Sequence, residues 1–174
     1  MSQEPLDVGA IARLLGSTLV AVEVELSALG PNAGWRPADG EWCANEVVGH
    51  LVEAERRGFA GRIRAILASD RPLLERWDQP AVAAARRDDL RPAAELAAEF
   101  RSVRLDSLDL VASLQPSDLA RVGVHPRVGE LRVGELLGEW VHHDREHLRQ
   151  LLAVVQRRVW GQMGATRRFS DPSA

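Results

Sequence analysis

Apolar residues spaced three and four apart constrain this chain more than any other feature. From about Leu6 to Leu29, the positions Ile11, Leu14, Leu15, Thr18, Leu19, Val22 and Leu26 recur at that interval, which is the period of one helix face. Gly30-Pro31-Asn32-Ala33-Gly34 then interrupts the pattern, as Gly and Pro do at a helix end. The same signature returns from about Ala44 to Ala68, closed by Asp70-Arg71-Pro72. It returns again from Ala93 to Leu114, through Leu96, Phe100, Val103, Leu108 and Val111, and from Val133 to Val159. No segment shows the alternation of a half-buried strand. The expected fold is therefore all-α, a four-helix bundle. Its connections are long between helices two and three, where Trp77, Pro80 and an Ala-rich piece able to form a short helix lie, and between helices three and four. A chain of 174 residues is enough for one such domain with a buried core. We expect that domain to span residues 1–160, followed by a mobile polar tail, 161–174.

Charge and cysteine content narrow the function classes. The net charge is −3 and the pI near 6.0, whereas a nucleic-acid binder carries a basic excess or stripe. All the basic residues are Arg, and Tyr is absent, a bias we read as GC-rich coding rather than function. No apolar run approaches the ~18 residues of a membrane span. Cys43 has no second cysteine to pair with, and MSQEPLDVGA lacks the charged and apolar regions of a signal peptide. The expectation is a cytoplasmic protein binding neither nucleic acid nor membrane.

The chemistry concentrates in histidines at 50, 125, 142, 143 and 147. His143 and His147 are four apart in the fourth helix, hence on one face with Cβ atoms roughly 5–6 Å apart. They share a stripe with Leu136, Trp140 and Val154 that faces a bundle core. His142 is turned about 100° away, onto the face of Glu135, Gly138, Arg145 and Arg149. In helix two, His50 lies with Val47, Leu51, Ala54 and Gly58. One core-facing imidazole usually means a hydrogen-bonded core histidine. Three in one small domain each need a partner and depress one another's pKa, and a shared cation removes both difficulties. His50, His143 and His147 are accordingly the candidate metal ligands. His143-Asp144-Arg145-Glu146-His147 lacks the Glu after the first His that marks the metalloprotease motif.

Further segments carry a family likeness. Trp35-Arg36-Pro37, then Gly40-Glu41-Trp42-Cys43 leading to Val48-Gly49-His50-Leu51-Val52-Glu53-Ala54-Glu55, followed by Trp77-Asp78 and the Arg104–Leu108 region, resemble the DinB/YfiT superfamily. So do His125-Pro126-Arg127-Val128-Gly129-Glu130-Leu131 and, most specifically, His143-Asp144-Arg145-Glu146-His147-Leu148-Arg149-Gln150-Leu151, which is similar to the family's H-D-x-x-H-x-x-Q pattern. The resemblance runs from about Trp35 to Leu152. It implies a DinB-like bundle, commonly dimeric, with a metal site on His50, His143 and His147. Cys43 departs from the Ser or Thr often found there as a helix cap, though Glu46 three residues on still suits the helix start.

Three neutral imidazoles suit Zn, Ni, Fe or Cu better than Mg or Ca, and one divalent ion, Zn or Ni foremost, is the expected cofactor. Three protein ligands leave a position free, where an ion lowers a water's pKa toward ~7 or holds a thiolate ready for attack. Relatives that the resemblance brings in include S-transferases using low-molecular-weight thiols and a mycothiol-dependent isomerase. The leading expectation is a metal-dependent transferase acting on a small thiol and an electrophile. A metal-dependent hydrolase and a non-catalytic, stress-related metal-binding helical dimer are the alternatives. A homodimer would use apolar surface on helices one and three.

No side chain is singled out as catalytic. Gln150 projects closest to the histidine face, and Asp144 lies to its side. Asp144, Glu146 and Gln150 are otherwise read as surface or helix-end residues, Glu53 as solvated surface rather than a fourth ligand, and His125 as a loop residue. Trp140 is expected in the core. Cys43, with no base nearby in sequence, is not read as a nucleophile. Arg56-Arg57, Arg86-Arg87 and Arg157-Arg158 read as solvated faces, or as clamps if an anionic substrate lay beside them.

Overall fold

A computed structural model describes residues 7–171; the expected helix start at Leu6 and the tail residues 172–174 lie outside the described residues. Helix α1, Val8–Leu29, starts where the Asp7 carboxylate accepts from the Ala10 N–H at 2.6 Å, satisfying one of the free donors of a helix start. It ends at Gly30, and a 3₁₀ turn, Gly30–Gly34, follows. Helix α2, Ala44–Glu53, begins with the Glu46 carboxylate accepting from the Cys43 backbone N–H at 2.9 Å. That contact is the acidic half of a capping box. Helix α3, Ala60–Ala68, short α4, Gln79–Arg86, and α5, Ala93–Ser113, come next. The strands β1, Val122–His125, and β2, Gly129–Arg132, lead into α6, Val133–Trp160, with a four-residue α7, Arg167–Ser170, beyond it. Helix α1 packs along α5 and α6, and α2 packs against α5 and α6, which completes the bundle. No helix among the described residues is long and apolar enough to cross a membrane.

Two details differ from the sequence reading. The second long helix is not continuous: α2 passes into α3 through a wide π turn, Ala54–Phe59, in which the Ala60 N–H bonds the Glu55 carbonyl. Gly61 makes room for it, because a Cβ there would stand 2.0 Å from the Arg56 carbonyl oxygen. The connection before the last helix also contains an antiparallel hairpin, with Val122 opposite Arg132 and His125 opposite Gly129. The segment after α3 docks onto it, Val124 donating to the Pro72 carbonyl at 2.8 Å and accepting from the Leu74 N–H at 2.9 Å. Strands of four residues are too short for alternation to distinguish them from loop.

The core divides in two along the bundle. One half gathers Ile11, Leu15, Phe59, Ile63, Val111, Leu137 and Trp140; the other gathers Leu19, Val22, Val48, Leu51, Leu96, Phe100 and Leu151. Between them in each chain segment lie buried polar residues: Thr18 on α1, Glu55 in the π turn, Arg104 and Ser107 on α5, and Asp144 on α6. A polar layer therefore cuts the bundle at mid-height. Burial of unpaired polar groups is costly; Thr18 bonds the Leu14 carbonyl of its own helix, and the charged residues pair with one another.

Candidate metal centre

The polar layer is held by ion pairs. Arg104, fully buried, donates to both carboxylate oxygens of Asp144 at 2.6 and 3.0 Å, and to the Leu15 carbonyl at 2.8 Å. It also pairs with Glu55, which accepts from the Trp140 indole N–H at 3.1 Å. Burial pushes the Glu55 carboxyl up to about 7, against the pull of the Arg104 guanidinium. Asp144 is thus interior, not the surface residue its position in the helix suggested. The reason lies in α5, which delivers a guanidinium to a point the helical period of α6 alone does not reveal.

Beside this layer the three histidines converge. His50 is 8% exposed and stands on α2, while His143 and His147 are half-buried on α6. One ligand nitrogen from each can be chosen so that all three lie within 4.8 Å of one another. The Nε2 atoms of His50 and His143 are 3.1 Å apart. Two nitrogens bound to one tetrahedral ion at 2.0–2.1 Å would stand ~3.3 Å apart, so this pair needs little movement to share one. His147 donates Nδ1–H to the Gln150 side-chain oxygen at 2.9 Å, which leaves its Nε2 lone pair free. That is the role an outer hydrogen bond plays for a metal-bound imidazole.

Electrostatics keep these rings neutral. Burial, reinforced by the neighbouring His147, lowers His50 and His143 to about 3, and burial lowers His147 as well. A neutral imidazole is the form that ligates. His143 Nδ1 is buried without a hydrogen-bond partner, so the cluster does not satisfy itself as an ordinary core network would. The donor set, its protonation and its spacing fit a single transition-metal ion.

Aromatic rings fix the imidazoles in place. Trp42 and Trp77 pack on His50 with centroids 5.3 and 6.0 Å away, and Trp42 stacks on His147 at 6.4 Å. Phe59, delivered by the π turn, lies edge-on to His143 at 5.2 Å and stacks on the buried Trp140 at 5.3 Å. Trp77 is held indirectly. It precedes α4, whose Arg86 binds Glu53 on α2, Glu99 on α5 and Asp88. The three paired arginines Arg56, Arg57 and Arg86 enclose Glu53, which is buried and kept below its usual pKa by hydrogen bonds from Arg57 and Arg86 despite desolvation. Neither the Glu53 carboxylate nor the Arg86 guanidinium is on a solvated face, as the sequence suggested; the α4 segment folds over α2 and covers them. Gly49 permits this approach, since a Cβ there would lie 1.8 Å from an Asp88 carboxylate oxygen.

Two cavities reach the cluster. One of about 510 Å³ is lined by Trp42, His147, Gln150 and Arg157; another of about 540 Å³ is lined by Phe59, Trp77, His125 and His143. His125, at the end of β1, therefore lines a cavity and is not a plain loop residue. His142 is exposed and takes no part. Cys43 is fully buried, and desolvation pushes its thiol up to about 11, which removes it as a nucleophile. Glu55, Phe59 and Arg104 were missed by sequence reasoning. Of the three, Gly58 and Gly61 flanking Phe59 offered the one signal of an irregular turn.

Comparison with known proteins agrees with the fold. A protein of Bacillus mycoides (strain KBAB4) named "Putative metal-dependent hydrolase" is 25% identical over 126 residues, covering 70% of this chain and 69% of its own. A similarly named protein of Oceanobacillus iheyensis is 22% identical over 121 residues, again covering 70% and 69%. The solved structure of YfiT from Bacillus subtilis, described as a probable metal-dependent hydrolase with an unusual four-helix bundle topology, matches with a TM-score of 0.80 at 16% identity. It covers 92% of this chain and 94% of YfiT, and at that identity the likeness concerns the fold. The profile of the DinB superfamily matches residues 31–151, the span that contains all three clustered histidines, and the chain belongs to that superfamily.

Proposed function

We propose that His50, His143 and His147 ligate one divalent transition-metal ion, Zn or Ni foremost, in an enzyme that transfers a small thiol onto an electrophile. The observation that carries the metal reading is the convergence of three neutral imidazoles, two of them with Nε2 atoms 3.1 Å apart. The names of the curated relatives support metal dependence. When bound, the ion supplies Lewis-acid activation of the group in its free position.

The chain's own residues set the geometry. Gln150 orients His147, Phe59 and Trp140 hold the His143 ring, and Trp42 and Trp77 shield His50 from water. Two cavities meet the cluster at different histidines, which gives a thiol and an electrophile separate approaches. Val20, Val24 and Leu105 leave apolar surface on α1 and α5, and a second copy of the chain is the partner we propose for it.

Elemental analysis of protein purified without a metal-affinity tag tests the first step. One ion per chain, lost in His50→Ala, is the expected result. A panel of low-molecular-weight thiols with electrophiles tests the second, and absence of turnover in metal-loaded protein counts against the transferase. If His50→Ala removes the ion yet leaves Tm unchanged, a purely structural ion is excluded.

A further inference from the structure

The arginines around the buried carboxylates and at the first cavity are neutralised. Arg56, Arg57, Arg86 and Arg91 pair with Glu53, Asp88 and Glu99, and Arg157, at the 510 Å³ cavity, pairs with Glu41. The cavity that reaches His143 is different. Arg62 and Arg127 line it, and both recur with Arg76 in the walls of an adjoining hollow of about 670 Å³. The two spaces share Arg62, Trp77, Gln79, His125 and Arg127, and so form one continuous recess.

Among the described residues, none of these three guanidiniums makes an ion pair, and the Arg62 Nε is buried without a partner. Arg62 is pushed down by desolvation alone, with no carboxylate opposing it. All three line the hollow beside His125, which they depress after burial. The acids lining the same recess are largely committed. Asp78 caps α4 through the Ala81 N–H at 3.0 Å, and Glu135 accepts from Arg132 at 2.8 and 3.3 Å. Glu139 remains, exposed on α6.

We propose that Arg62, Arg76 and Arg127 form an oxyanion subsite in the recess leading to His143, and that the substrate entering there is a small organic anion. Its carboxylate or phosphate docks on the arginines while its reactive carbon faces the histidine cluster. Guanidinium forks match both groups with paired hydrogen bonds. Arg62, part-buried and without counter-charge, gains more from such a ligand than an exposed guanidinium does, and the exposed Arg76 and Arg127 add their charges at the mouth of the recess. The assignment rests on the proposed function for what happens at the histidines, but the binding itself does not require metal.

Isothermal titration of metal-free protein with succinate and, separately, inorganic phosphate tests it, at low salt and again at high salt. Saturable binding of at least one is expected, weakened by salt and tenfold or more by Arg127→Glu, which lies on an exposed turn, and by Arg62→Gln. Preference for succinate marks a carboxylate ligand, and preference for phosphate marks a phosphorylated one. Binding unaffected by either substitution, or no saturable binding of either anion to wild-type protein, overturns the proposal. Zinc titration of the same variants separates the two readings. Zinc binding retained by Arg127→Glu but lost in His50→Ala places any failure with the anion site rather than the metal site.

Discussion

Arg104 and Asp144 form a buried ion pair, with Nη1 and Oδ2 2.6 Å apart, one residue along α6 from His143. The pair ties α5 to α6 at the level where the histidines meet, so the position of the His143 ring depends on an interaction its own helix cannot make. Removing Asp144 leaves Glu55, among the described residues, as the one carboxylate facing the buried Arg104, and breaking a buried ion pair costs about 3–5 kcal/mol. Asp144→Asn should lower unfolding free energy by roughly 3 kcal/mol in urea titration. An Arg104→Met/Asp144→Leu/Glu55→Gln triple variant, which removes all three charges of the layer together, should recover much of it.

Gln150 touches the cluster through His147 alone. Outer partners of metal-bound histidines typically change affinity 10–100-fold. Gln150→Ala should therefore weaken zinc binding about tenfold by competition with a chromophoric chelator, with little change in Tm. Unaltered affinity would show that the hydrogen bond does not orient the ring.

Acid should destabilise the metal-free protein through its histidines. His50 and His143 are lowered to about 3 by burial and by His147, whereas an unfolded histidine titrates near 6.5. The unfolded chain then binds more protons, so the contribution is complete above pH ~6.5 and is lost as pH falls toward the folded values. Each ring contributes at most about 1.4 kcal/mol per pH unit across that window. Glu55, raised to about 7, acts in the opposite sense, since its protonation favours the folded state. Urea midpoints of chelator-treated protein at pH 7.5 and 5.0 should differ less in a His50→Gln/His143→Gln variant than in wild type.

The π turn makes its own prediction. A methyl group at Gly61 would meet the Arg56 carbonyl at 2.0 Å, a contact that only backbone movement relieves. Gly61→Ala, despite the better helix propensity of Ala, should destabilise the protein by about 1–3 kcal/mol, the usual cost of overpacking. Because Phe59 leans on His143, zinc affinity should fall with it. Gly138→Ala, at a site with no neighbour within 4 Å, is the control and should be neutral or stabilising.

The long helices were legible because helical burial is periodic: Ile11 to Leu26 on α1, and Leu136 to Val154 on α6, repeat at the spacing of one face. The adjacency of His143 and His147 follows from the same local geometry. The amino-acid order could not show the π turn, since one extra residue in a helix leaves composition and hydropathy unchanged, nor the hairpin, whose strands are shorter than a recognisable period. It read Glu53, Asp144 and Arg86 as solvated because a charge looks exposed until its partner is known, and the partners lie on α2, α4 and α5, brought close by packing alone. Whether His50 meets His143 was decided the same way. Local order placed each imidazole on an inward face, and the packing of α2 against α6 decided that the nitrogens stand within reach of one ion.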